Sequence, residues 1–202
     1  MTDNTTGWEL LSAWPGGTVS ALATTDGPGG HGAAITLAAT AAGLHVSRDG
    51  GQTWRWIALG PAPVTDALAV SPRFEADRTV LIGTNAGLHR STDGGLTWRA
   101  VLADSRVQCI AATPDFADGG MVLVGTEADG VLRSEDGGLS WDGGSAGLLD
   151  LNVTALALSP TFGRDRTAFA GAASGLYRSR NGGRAWRLVE IGLEVAAIQA
   201  LA

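Results

Sequence analysis

A pair of carboxyl groups facing one cleft can hydrolyse a glycosidic bond, one as acid and the other as base or nucleophile. The acids of this chain that stand outside its tightest turns include Asp66, Asp77, Asp115, Asp118, Asp129, Asp150 and Asp165. Asp77 and Asp165 occupy matching places, in Phe74-Glu75-Ala76-Asp77 and Phe162-Gly163-Arg164-Asp165, which favours turn chemistry over catalysis. Asp66 differs. It interrupts an apolar run at a place where comparable runs carry Cys109, Ala155 and Ala21, so it is the candidate for an acid lining a central channel. His45 and His89 are also matched, and a metal site would need a third ligand to converge with them. His31 lies in a glycine-rich loop, Asp26-Gly27-Pro28-Gly29-Gly30-His31-Gly32, without the Lys and helix of a phosphate loop. Cys109 reads as a small buried apolar residue. Four Asp-Gly-Gly or Asn-Gly-Gly turns each supply too few carboxylates for calcium. Neither a catalytic set, nor a cofactor site, nor a metal site is expected.

The arginines recur too. Arg90, Arg133 and Arg178 stand before these turns, and Arg55, Arg99 and Arg187 after them. Cross-strand ion pairs or stacking on tryptophan are their expected roles. The chain has 202 residues, with 14 Lys+Arg against 20 Asp+Glu and a net charge of −6. That balance argues against nucleic acid as the main partner. A single cysteine excludes an intramolecular disulfide framework. No apolar run reaches about 18 residues, so no membrane-spanning helix is expected. The first residues, Met1 to Trp8, show neither a basic nor an apolar leader region. A cytoplasmic protein is the expectation, or an exported one if a leader has been removed.

A repeat must position these residues. Segments 43–54, 87–98, 130–141 and 175–186 align on Gly-Leu-x-x-Ser-x-Asp-Gly-Gly-x-Thr-Trp, and their tryptophans are 44, 43 and 45 residues apart. Upstream of three of them lie Ser71-Pro72-Arg73-Phe74, Thr113-Pro114-Asp115-Phe116 and Ser159-Pro160-Thr161-Phe162, each between two apolar alternating runs. One repeat therefore reads strand, Pro-containing loop, strand, short turn, strand, Asp-Gly-Gly turn, strand. Four short strands in about 44 residues describe one blade of a β-propeller. The all-β chain divides into blades at about 18–59, 64–102, 106–143 and 152–190, in a single domain.

The turn has its own logic. The acid accepts hydrogen bonds from its own turn, and the glycines allow the positive φ of a tight hairpin. The Trp buries a large apolar area against a neighbouring blade. The motif residues are Ser47, Asp49, Gly51, Thr53 and Trp54; Ser91, Asp93, Gly95, Thr97 and Trp98; Ser134, Asp136, Gly138, Ser140 and Trp141; and Ser179, Asn181, Gly183 and Trp186. Ala185 replaces the hydroxyl residue in the fourth copy, so that staple should be weaker.

The pattern Ser-x-Asp-Gly-Gly-x-Thr-Trp resembles the Asp-box, or BNR repeat. That repeat is seen in sialidases, xyloglucan-active glycoside hydrolases, sortilin-type receptors and photosystem II assembly factors. The resemblance implies that the Asp-box lies on the hairpin between the third and fourth strands, at the propeller periphery and away from the usual ligand face. A sialidase site would need an arginine triad and a Tyr–Glu pair. The one tyrosine, Tyr177, stands at a repeat position matched by His45, His89 and Leu132, so it reads as structural.

The ends add strands at 7–14 and 195–202 by the same spacing. Three readings follow: a piece of a larger propeller, an open four-bladed arc completed by another copy or a partner, or a closed four-bladed ring. The expected function is a non-catalytic interaction or assembly module that binds a protein partner or self-associates. A carbohydrate-binding or glycoside-hydrolase-like propeller is the alternative, with a glycan as ligand.

Overall fold

The computed structural model describes residues 17–25, 35–40, 43–57, 64–190 and 198. The predicted strands at 7–14 and 195–202 lie outside the described residues, apart from Ile198. Four antiparallel sheets of four strands each follow one another along the chain. Blade one holds β1 (Val19–Thr25), β2 (Ile35–Thr40), β3 (Gly43–Ser47) and β4 (Arg55–Ile57). Blade two holds β5 (Thr65–Val70), β6 (Val80–Thr84), β7 (Gly87–Ser91) and β8 (Arg99–Ala103). Blade three holds β9 (Val107–Ala112), β10 (Val122–Thr126), β11 (Val131–Ser134) and β12 (Asp142–Gly143). Blade four holds β13 (Val153–Leu158), β14 (Ala168–Ala172), β15 (Gly175–Ser179) and β16 (Arg187–Leu188). Within each sheet the spatial order is the chain order, as the strand–turn–strand reading requires.

The Pro-containing loops have structure of their own. Each contains one helical turn: α1 (Phe74–Asp77), a 3-10 turn at Phe116–Asp118, and α2 (Phe162–Asp165). The cause is the phenylalanine, which is buried in all three copies and pins the turn to the blade. The turn ends in a left-handed residue, Arg78, Gly119 or Arg166, whose N–H returns to the phenylalanine carbonyl. Two arginines thus hold a conformation usually left to glycine.

The core lies between blades rather than within one. Leu37, Leu44 and Val46 of blade one meet Phe74, Val80 and Ile82 of blade two. Leu81 and Leu88 of blade two meet Val107, Phe116, Val122 and Val124 of blade three. Met121, Leu123 and Val131 of blade three meet Leu156, Phe162, Ala170, Tyr177 and Trp186 of blade four. A strand buried on both faces carries apolar residues without alternation, which is why Val80-Leu81-Ile82 and Val122-Leu123-Val124 read as continuous runs. The inner strands pack in the order β1, β5, β9, β13, and no comparable packing joins β13 back to β1 among the described residues. The arrangement is open.

Candidate functional site

The inner strands carry the residues nearest the middle of the arc. Each has one extra residue relative to its neighbour, between Val19 and Ala21, Thr65 and Ala67, Val107 and Cys109, and Val153 and Ala155. The bulge falls at the same place in each copy, six residues before the loop proline in blades two, three and four. Ala67, not Asp66, is the counterpart of Ala21, Cys109 and Ala155. Asp66 is the bulged residue, matched by Ser20, Gln108 and Thr154.

These four residues share one job. Ser20 donates its hydroxyl to the Thr65 carbonyl at 2.5 Å. Asp66 accepts from Arg106 Nε at 2.8 Å and Nη2 at 3.5 Å. Gln108 Nε2 donates to Asn152 Oδ1 at 2.7 Å. Thr154 Oγ1 donates to the Ile198 carbonyl at 2.7 Å. Every bulged side chain reaches forward to the start of the next inner strand, so the row links the blades. Arg106 also contacts Glu127 at 3.4 Å, and its own pKa is raised, first by the hydrogen bond to Asp66. Both Asp66 oxygens are engaged by one guanidinium, so Asp66 does not present a free carboxylate to a channel. The candidate acid is a link between blades two and three.

Ile198 extends the row. Its N–H donates to the Ala172 carbonyl at 3.3 Å. Gly171 approaches Ile198 as Gly125 approaches Val153 and Gly83 approaches Val107. Ile198 therefore stands where an inner strand begins on the far side of blade four.

The other candidates fall into structural roles. Asp77 accepts from the Ser71 hydroxyl at 2.6 Å and the Thr79 N–H at 2.8 Å; Asp165 accepts from Ser159 and the Thr167 N–H, both at 2.7 Å. Asp118 pairs with Arg73, Asp129 accepts from Ser105, and Asp150 accepts from the Asn152 N–H. Tyr177 is fully buried and its hydroxyl meets Ser174 Oγ at 2.7 Å. Burial lowers the pKa of His45 and of His89. No group of three His, Cys, Asp or Glu fit to hold a metal ion occurs among the described residues. Cys109 donates to the Val153 carbonyl, and burial pushes its thiol up to about 12. Two further arginines stack on the loop phenylalanines, Arg78 on Phe74 and Arg166 on Phe162, and of the recurring arginines Arg133 forms an ion pair, with Glu135.

The Asp-Gly-Gly turns form the staples their sequence implies. Asp93 accepts from Ser91 Oγ, Leu96 N and Thr97 N at 2.8–2.9 Å through Oδ1, and from Thr97 Oγ1 at 2.5 Å through Oδ2. Ser91 Oγ in turn accepts from Gly95 N at 2.8 Å. Gly94 and Gly95 have φ of +78° and +89°. In copy four Asn181 Oδ1 accepts only from Ser179 Oγ, Arg184 N and Ala185 N. Asp93→Ala should therefore lower stability by about 1–2 kcal/mol, and Asn181→Ala by less than about 1 kcal/mol. Urea midpoints measure the difference, and equal losses would refute this account of the turn.

These hydrogen bonds also hold the turn acids below the usual carboxylate range. Asp49 and Asp93 are lowered to about 2, first by the hydroxyls of Thr53 and Thr97; Asp136 is lowered too, first by Ser140. A depressed folded-state pKa contributes stability above the unfolded value of about 4, and that contribution is lost as pH falls towards 2. The urea midpoint should drop between pH 4 and pH 2, and the Asp93→Asn variant should show a shallower drop. A midpoint independent of pH across that window is the opposing result.

The fourth staple is compensated elsewhere. Trp186 is only 3% exposed, whereas Trp54, Trp98 and Trp141 are half-buried. Its Nε1 donates to the Gly144 carbonyl at 2.6 Å and its backbone N–H to Ala146 at 2.8 Å. Ala146 and Ala185 form a parallel bridge, so the segment leaving blade three lies along the rim of blade four. The sequence reading missed this tie, because nothing in a period of 44 announces a contact outside the repeat. The bulge row was also missed, although its polar residues recur at nearly the repeat spacing.

The sequence matches the BNR/Asp-box repeat family over residues 45–55. Solved structures share the fold. An ancestral GH74 enzyme superposes with a TM-score of 0.69 at 23% identity, over 90% of this chain and 25% of that one. YCF48 bound to D1 peptide gives 0.54 at 21% identity, over 76% and 48%. BBS1N in complex with ARL6DN gives 0.59 at 10% identity, over 82% and 53%. No curated protein matches the sequence. The chain has a β-propeller-like fold in an open arrangement, with one match to the BNR/Asp-box repeat. It spans from a quarter to about half of the length of these structures. None of its described helices is long and apolar enough to cross a membrane.

Proposed function

We propose that this chain is a non-catalytic interaction module, which binds a protein partner or self-associates through its open arc. The carrying observation is that, among the described residues, β1, β5, β9 and β13 pack in succession and no comparable packing joins β13 to β1. Leu22 on β1 is 65% exposed, while its counterpart Leu156 is buried against the preceding blade. Two of the similar structures are complexes with a peptide or a protein, which supports the reading. The engaged state of Asp66 supports it further.

Light scattering on the 202-residue chain at several concentrations tests self-association. The expected result is a mass above that of one chain, reduced by Leu22→Asp. A constant monomer mass would remove self-association and leave the partner-binding form. The second reading, a carbohydrate-active propeller, is favoured by the similarity to GH74 enzymes. Release of reducing sugar from a panel of glycosides would establish that second reading and overturn the first.

A further inference from the structure

A cleft of about 790 Å³ opens between blades three and four, on the side of the Pro-Phe loops and away from Asp66. Its size is that of a pocket for a small ligand or a short peptide segment. The cause is local. Between blades two and three, Arg73 and Asp118 tie the two loops together, and Arg90 donates to the Ala117 carbonyl at 3.4 Å. Arg133 is the counterpart of Arg90. It turns instead to the Gly182 carbonyl at 3.3 Å and pairs with Glu135. The loop of blade four is thereby left unattached at Gly163, which matches Ala117, and the space remains open.

The walls are mixed: Pro114 from one loop and Pro160 and Phe162 from the other are stiff and apolar, while Glu135, already paired with Arg133 and Arg184, adds a second carboxylate. Asp115 stands at one lip, and its carboxylate is in no ion pair among the described residues. Arg166 stands at the other, its guanidinium carbon 5.9 Å from the centre of the Phe162 ring. With Glu135 held by its own two arginines, Asp115 and Arg166 flank a slot whose proline walls lose little freedom on binding.

We infer that this cleft binds a short extended peptide segment, with a basic side chain at Asp115, an acidic one at Arg166 and apolar residues between Pro114, Pro160 and Phe162. The inference rests on the partner-binding reading above and gives that partner its chemistry. Charged ends fix the direction of the segment, and the apolar middle supplies the contact area.

The probe is a library of blocked pentapeptides with Lys first, Glu last and mixed residues between, compared with one carrying Gln at both ends. Backbone amide shifts of the full chain report the site. The charged library should move amides in 113–121 and 158–166, and the Gln library should not. Asp115→Asn and Arg166→Gln each should weaken the response about tenfold. Both side chains are at the surface, and unchanged circular dichroism would confirm the fold. Equal response to both libraries, shifts confined elsewhere, or silence at millimolar peptide would overturn the inference. A chain that self-associates while these amides stay silent keeps the module reading and loses the cleft. A chain that hydrolyses glycosides while binding the peptides does the reverse.

Discussion

Trp186→Ala should lower stability by about 4 kcal/mol, within the 3–5 kcal/mol range for removing a buried tryptophan. The ring is 3% exposed and lies in the core shared by blades three and four. Its loss leaves a cavity that the Asp-box hairpin cannot fill, because Asn181 fixes the turn through three hydrogen bonds. The Gly144 carbonyl also loses its donor. Trp98 sits at the equivalent place between blades one and two but is half-buried and bonds only within its own turn, to Gly95 at 3.1 Å. Trp98→Ala should therefore cost clearly less, about 2 kcal/mol. For a chain of this size, 4 kcal/mol corresponds to a melting shift of roughly 8–16 °C. Thermal and urea unfolding of both variants decide it. A Trp98 variant as damaged as the Trp186 variant would mean that rim burial does not set the cost.

The second large effect is steric. Gly125→Val should lower stability by about 3 kcal/mol or more, at the upper end of overpacking costs. A Cβ at Gly125 would lie 2.4 Å from Cys109 Sγ, 2.7 Å from Val153 Cγ1 and 2.8 Å from the Val153 carbonyl oxygen. The last of these is backbone of the next blade, so relief requires the blades to part. Gly143 is the control. It lies at the edge of the same sheet, and a Cβ there meets nothing within 4 Å. Gly143→Val should fall within about 0.5 kcal/mol of the parent. Comparable losses in both variants would place the cost in the strand backbone and not in the approach of β13.

The fold was legible because its signals are local and recur. Asp93, Gly94, Gly95 and Thr97 satisfy one another within five residues, so the turn closes without help from the rest of the chain. The alternation of apolar runs with Pro-Phe and Asp-Gly-Gly segments then sets strand count and order. Departures from the pattern were legible for the same reason, as with Asn181 and Ala185. Asp66 shows the limit. Read one residue out of step it falls opposite Cys109 and Ala155 and looks like an acid with nothing beside it, whereas counted back from the loop prolines it falls opposite Gln108 and Thr154. The strand register places it at the bulge, and Arg106, 40 residues on, supplies the charge it pairs with.

By itself, the sequence determined the four blades, their strand order, the staple at each turn and the residue types buried between blades. These follow from short-range hydrogen bonding, glycine conformation and hydrophobic periodicity. The tertiary structure decided what depends on the offset between blades: the open arc, the bulge row from Ser20 to Thr154, the anchoring of Trp186 at Gly144, and the cleft beside Pro114 and Pro160. Those features are set by side chains some 40 residues apart meeting across blade faces. A period fixes how often a blade occurs, but only packing fixes how one blade sits on the next.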